Sequence, residues 1–359
     1  MIPNSPSNQT VVVGMSGGVD SSVSAFLLKE QGCKVIGLFM KSWEESDERG
    51  VCKASLEYDD VVRVCEQIQI PSYSVNFVEE YRSRVFAEFL SDLEKGLTPN
   101  PDILCNREIK FDVFLKKAQE LGGDFLATGH YCRLDAEHHL LTGSDPNKDQ
   151  SYFLHAVKKQ ALEKVLFPIG HIPKREVREI ARKASLATSE KKDSTGICFI
   201  GKRDFKPFLS QYLGYQTGHF RLLNGEVVGN HDGAAFYTIG QRKGMGLGGE
   251  GEAWFVVGKD ISQNIVYVER GADHPALYAG GLTASKFTWV ADEPPSYPYR
   301  CTAKIRYRQE SKPCTLFAQE NGQARVVFDE PQRAITPGQS VVFYNGDICL
   351  GGARIDSKN

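Results

Sequence analysis

No two of the nine cysteines stand in a C-x-x-C spacing, and their number is odd. That usage fits neither a secreted disulfide framework nor a zinc or iron–sulfur site, and it points to a reducing compartment. Uninterrupted apolar runs of about 18 residues are missing, so no membrane span is expected. The opening stretch, residues 1–10, has neither the basic-then-apolar order of a signal peptide nor the Arg-rich character of a transit peptide. An excess of one charge is missing as well: 43 Lys and Arg stand against 45 Asp and Glu, so overall charge names no partner. Repeats with a period of about 20–50 residues and low-complexity tracts are absent. What remains is ordinary globular composition, 41% hydrophobic and 25% charged, in a length that suits roughly two to three domains. The expected setting is cytoplasmic, with no membrane partner.

The first third alternates short apolar runs with helical periodicity. Val11–Val13 meets Gly14, after which Val19, Val23, Phe26 and Leu27 fall on one helix face until Gly32 closes it. Further runs at Val35–Met40, Tyr73–Val75 and Phe125–Thr128 are separated by helical patterns, one carrying Leu56, Val62, Cys65 and Ile68 inward, others near 79–94 and 108–121. Strands alternating with helices predict a parallel sheet whose ligand site lies beyond the carboxyl ends of the strands, where Gly14, Met40 and Gly129 stand. From Pro173 a basic helix is expected, with Lys174, Arg175, Arg178, Arg182 and Lys183 outward. Between His171 and Lys206 there are ten Lys or Arg against five Asp or Glu. Beyond about residue 206, glycine-rich turns and short β runs take over, with turn signals at Asn321-Gly322, Pro337-Gly338 and Asn345-Gly346. Three units follow: 1–205, a small central domain at 206–275, and a β-barrel at 276–359. In the last, Arg300, Lys304, Arg306 and Arg308 would share one strand face and form a basic stripe, while Cys301, Ala303, Ile305 and Tyr307 point the other way.

Gly14, Met15, Ser16, Gly17, Gly18, Val19, Asp20 and Ser21 join strand to helix. Glycines there let backbone N–H groups converge on an anion, and the helix terminus adds partial positive charge. The Lys-Ser/Thr ending of a Walker loop and the spacing of a dinucleotide fingerprint are both missing. Asn100, Pro101 and Asp102 lead to Cys105, placed ahead of a helix expected to begin near Arg107, where dipole and charge would favour a thiolate. On local sequence Cys105 is equally a nucleophile or a small packed residue, and Asp102 a proton handler or a turn residue. Cys198, between Ile197 and Phe199, reads alone as a core thiol.

Taken in order, Ser16–Ser21, Asn100-Pro-Asp with Cys105-Asn106, Gly129-His130-Tyr131, Lys148-Asp149-Gln150, Ser194-Thr-Gly-Ile-Cys-Phe199 and Gly240-Gln-Arg-Lys-Gly244 closely resemble the bacterial tRNA-specific 2-thiouridylase (MnmA/TrmU) family. That family belongs to the ATP-pyrophosphatase (PP-loop) superfamily. The resemblance covers nearly the whole chain, with no departure at any of these motifs. It implies an α/β fold: a parallel-sheet, adenine nucleotide alpha-hydrolase-like PP-loop domain, a small central domain and a C-terminal β-barrel. It implies ATP, with Mg²⁺, on Gly14 to Ser21, Met40 and Gly129, and the target base on Asn100, Pro101 and Asp102. The tRNA anticodon loop would meet Lys148, Asp149, Gln150, His130, Arg306, Tyr307 and Gln339. Cys198 would carry persulfide sulfur and Cys105 would be the nucleophile that helps release it, with a disulfide between them after turnover. A sulfur-donor protein, either a cysteine desulfurase or a sulfur relay protein, and a thiol reductant are the remaining partners implied. Two other readings of the same residues are a different PP-loop ATP-dependent ligase, which would need no paired cysteines, and a non-catalytic nucleotide-gated RNA-binding module.

Overall fold

A computed structural model describes residues 8–44, 53–192, 205–214, 216–290 and 293–359. Cys198 and the Ser194–Phe199 motif lie outside the described residues. Strands β1 (Thr10–Met15), β2 (Lys34–Lys41), β3 (Ser72–Asn76) and β4 (Phe125–Ala127) form a parallel sheet in the order β3-β2-β1-β4, with Val165–Leu166 added beside β4. Val11, Val12 and Val13 are all fully buried, as a strand covered on both faces requires. Helix α1 (Val19–Glu30) buries Val19, Val23, Ala25 and Leu28. It stops at Gly32, whose φ of +82° suits glycine. Helix α2 (Lys53–Gln67) faces the sheet with Val61, Val64 and Cys65, one position off the expected stripe, and Leu56 is 55% exposed. Valine at both 61 and 62 leaves the register open in the sequence; Val61 takes the inward place expected of Val62, while Cys65 and Ile68 turn inward as expected.

The central unit holds a four-stranded sheet made of Gly218–Arg221, Val227–His231, Trp254–Asp260 and Ile265–Arg270. The last unit is a closed antiparallel barrel of six strands, sealed by pairing of Tyr278–Trp289 with Ile348–Lys358. Its interior is apolar, from Leu282 and Ala284 to Val341 and Ile355. Asn321 and Gly322, at φ 58° and 71°, make the hairpin turn their sequence signals. The hairpin Cys132–Leu134 and Leu140–Thr142 of the first unit extends the barrel sheet through Leu141 against Ile348.

The basic stripe does not form. The strand Tyr299–Lys304 ends before Arg306, and Arg308 sits in a turn at φ +59°. Arg300 pairs with Asp329, and Lys304 lies 3.1 Å from Asp149. Arg306 turns inward and donates to the carbonyls of Ile239 and Ala334 and to Thr336 Oγ1 at 2.6, 3.2 and 3.0 Å. Cys301, Ala303 and Ile305 are buried as expected, whereas the strand face that should have held four solvated cations is consumed by pairing.

A candidate nucleotide and base site

The chain runs outward from β1 to β2 and β3 and then crosses back to β4, so β1 and β4 are neighbours at the point where the winding direction changes. A crevice opens there beyond the carboxyl ends. Gly14 is the penultimate residue of β1, and a Cβ on it would meet Phe114 Cε1 at 3.0 Å. Gly129 follows β4, and a Cβ there would lie 2.9 Å from Asp20 C and Ser21 N, so glycine alone lets the two segments touch. Met40 is the penultimate residue of β2, half-buried. Gly17 takes φ +69°, and Gly18 caps α1 without a side-chain hydrogen bond, leaving first-turn N–H groups for another acceptor. The loop is braced from within: Ser16 N donates to Ser21 Oγ at 3.2 Å, and Ser21 Oγ donates to the Gly18 carbonyl at 3.1 Å. Asp20 accepts from Tyr131 Oη at 2.6 Å and from Lys174 Nζ at 2.7 and 2.8 Å. Lys174, expected outward, is therefore 9% exposed and pinned against the loop.

The helix bearing Cys105 begins earlier than the sequence suggests. Asn100 caps it, its Oδ1 accepting from Asp102 N at 3.1 Å with Pro101 in the first turn. Cys105 is thus about one turn inside, 1% exposed, in an apolar cluster with Leu104, Ile109, Phe208 and Phe236 that joins the first and central units. Arg107, expected to favour its thiolate, spends its charge on Glu108 at 2.6 Å and Glu88 at 3.8 Å. From Cys105 to Val113 the winding is π-helical, kinked at Phe111. Such widening recurs at functional sites, and with i to i+5 bonding it brings residues five apart toward one side.

Lys110 carries no signal in the sequence, yet its charge reaches both Asp102 and His130. Burial raises the Asp102 carboxyl above its usual range, and Lys110 opposes that. Burial holds the His130 imidazole well below its usual range, and Lys110 pushes the same way. His130 Nδ1 is 2.8 Å from Thr128 Oγ1, and its ring packs in a triangle with those of Phe111 and Phe167. Beside Cys105, Asn106 is 2% exposed; its Nδ2 donates to the Phe153 carbonyl at 3.1 Å, and its Oδ1 has no hydrogen-bond partner among the described residues.

The residues expected to face tRNA divide into two kinds. Asp149 is 6% exposed, with Gly143 N, Ser151 N, Ser151 Oγ and Lys304 Nζ all on its carboxylate. Gln150 Oε1 accepts from Tyr131 N at 2.9 Å, and Gln339 Nε2 donates to the Thr98 carbonyl at 2.6 Å. Asp149 and Gln339 shape the junction of the first unit and the barrel, Gln150 braces the first unit internally, and Arg306 shapes the junction of the barrel and the central unit. Lys148 and Arg308 instead line an open cavity of about 300 Å³, and Arg308 lies over the Tyr307 ring at 5.6 Å.

Residues 9–202 match the model of the tRNA methyl transferase HUP domain, residues 206–270 the tRNA methyl transferase PRC-barrel domain, and residues 279–355 the aminomethyltransferase β-barrel domain. The tRNA-specific 2-thiouridylase MnmA of Protochlamydia amoebophila is 64% identical over 97% of this chain and 93% of its own. The chain belongs to the tRNA-specific 2-thiouridylase family. A second member, from Halalkalibacterium halodurans, is 57% identical over 98% of this chain and 95% of its own. Membership accounts for the parallel-sheet unit, the central unit and the closed barrel in that order.

Proposed function

We propose that this chain catalyses ATP-dependent 2-thiolation of the wobble uridine of tRNA. The observation that carries the reading is near-complete coverage of relatives named 2-thiouridylase, in a chain whose glycine loop lies at the switch point of a parallel sheet. A uracil carbonyl is a poor electrophile and oxide a poor leaving group, so the oxygen must be activated. Attack of uridine O2 on the α-phosphate of ATP makes that oxygen part of an AMP leaving group and releases pyrophosphate, held by N–H groups of the Gly14–Ser21 loop. Asp102, its carboxyl raised by burial, handles the proton at the base held by Asn100 and Pro101.

Sulfur arrives as a persulfide on Cys198, loaded by a donor protein. Cys105 thiolate attacks the Cys198 sulfur of that persulfide, forms the Cys105–Cys198 disulfide and expels hydrosulfide. Hydrosulfide adds at C2, AMP leaves, and an external thiol reductant returns both cysteines to thiols. Asp20 is the carboxylate within the loop, and Lys174 and Tyr131 already hold it. It does not fit a magnesium ligand in this arrangement.

The test is incubation of protein, ATP, sulfide and anticodon stem-loop RNA, with mass spectrometry of the wobble nucleotide. Oxygen-to-sulfur exchange dependent on ATP supports the reading. Pyrophosphate release with no oxygen-to-sulfur exchange at the wobble nucleotide would instead mark a ligase sharing only the ATP loop.

A further inference from the structure

The basic stretch after Pro173 is read most simply as a surface for RNA, but two of its cations turn inward. Residues 185–191 lie across α1 and α2: Ala187 N donates to Gln67 Oε1 at 2.9 Å, and Thr188 Oγ1 donates to Ser22 Oγ at 2.9 Å. Lys191 ends this strap. Its Nζ donates to the Gly17 carbonyl at 2.8 Å and to Asp60 Oδ2 on α2 at 2.6 Å. Asp60 thus orients the ammonium, and Gly17 receives it.

Gly17 has no freedom to move away. A Cβ there would lie 2.5 Å from the Glu57 carbonyl, so its left-handed backbone is wedged against α2. In a planar trans peptide the C=O of one residue and the N–H of the next point in opposite directions. Fixing the Gly17 carbonyl toward α2 therefore turns the Gly18 N–H toward the mouth of the loop. We propose that Lys191 is a positioning residue of the nucleotide site, acting through the Gly17–Gly18 peptide to aim one N–H at the pyrophosphate. This inference rests on the loop's role as the ATP site and adds to it the group that presets its geometry. An N–H held in place before the anion arrives needs no reorganisation on binding, which is the economy of a preorganised cradle.

Calorimetric titration of inorganic pyrophosphate and ATP into wild type, Lys191→Met and Lys191→Gln tests it. Lys191→Met should weaken pyrophosphate about tenfold and lower kcat/KM for ATP, with tRNA affinity little changed. Lys191→Gln keeps a donor without the charge and should recover part of the loss. Unaltered pyrophosphate affinity in Lys191→Met, or a loss that disappears at high salt and so reports bulk charge, would overturn the proposal. In wild type itself, ¹⁵N-glycine labelling should show the Gly18 amide shifting on pyrophosphate binding. A Gly18 signal that stays put while other loop glycines move also overturns it, and needs no variant to fold. Wild type that binds neither ATP nor pyrophosphate would sink the reading of the loop itself, an outcome distinct from the other two.

Discussion

At the scale of single residues the site contains groups whose charged forms burial disfavours, Asp102 and His130. Burial makes the charged form of Asp102 costly, so its folded-state proton affinity exceeds that of an unfolded chain. That shift works against stability at neutral pH and ceases to do so as pH falls through the raised value. Asp102→Asn should therefore melt above wild type at pH 7, with the gap closing in acid, while thiolation falls by about 10²–10⁴-fold. Differential scanning calorimetry across pH, run beside the RNA assay, checks both. Gly17→Ala illustrates the opposite case: a φ of +69° and the Glu57 carbonyl at 2.5 Å leave a methyl no room. It should cost about 1–3 kcal/mol and abolish nucleotide binding, as denaturant titration and calorimetry would show.

At the scale of elements, one buried carboxylate organises a loop. Asp149 gathers two backbone N–H groups, a hydroxyl and Lys304, whose side chain is 18% exposed. Asp149→Ala strands that ammonium and should destabilise by about 3–5 kcal/mol in chemical denaturation. The glycine loop, α1 and β1 were legible in the sequence because each local signal agrees with its neighbours: valine run, glycine turn, helical period, glycine stop. The register of α2 was not, since adjacent valines satisfy either stripe. The start of the Cys105 helix was missed because the eye goes to Arg107, whereas the Asn100 cap and Pro101 govern. Lys110 was beyond reach for a different reason: its charge acts on Asp102 and on His130, twenty residues further along, and no composition or spacing announces that meeting.

At the scale of the whole molecule, the three units are locked by polar contacts the sequence had suggested were for RNA. Thr98 N donates to the Pro337 carbonyl at 2.9 Å and Gln339 returns to the Thr98 carbonyl, while Arg306 joins the barrel to Ile239 of the central unit. Even numbering through 300–308 suggested a continuous strand, but a strand must end somewhere, and here it ends at Lys304. Lys148 and Arg308 line an open cavity beside that junction. Arg308→Ala should weaken tRNA binding and lower the slope of log affinity against log salt by about one, whereas Arg306→Ala should lower the melting temperature without a matching change in that slope. Filter binding over a salt series separates the two.

The central claim is that Cys198 delivers sulfur and Cys105 releases it onto an adenylated base. The most direct measurement is a single turnover with protein preloaded with ³⁵S persulfide, ATP and anticodon stem-loop RNA, comparing wild type with Cys105→Ser and Cys198→Ser. The account predicts labelled 2-thiouridine from wild type, retained label without transfer from Cys105→Ser, and no loading of the site by Cys198→Ser. Transfer of label to RNA by either variant at the wild-type rate would contradict it.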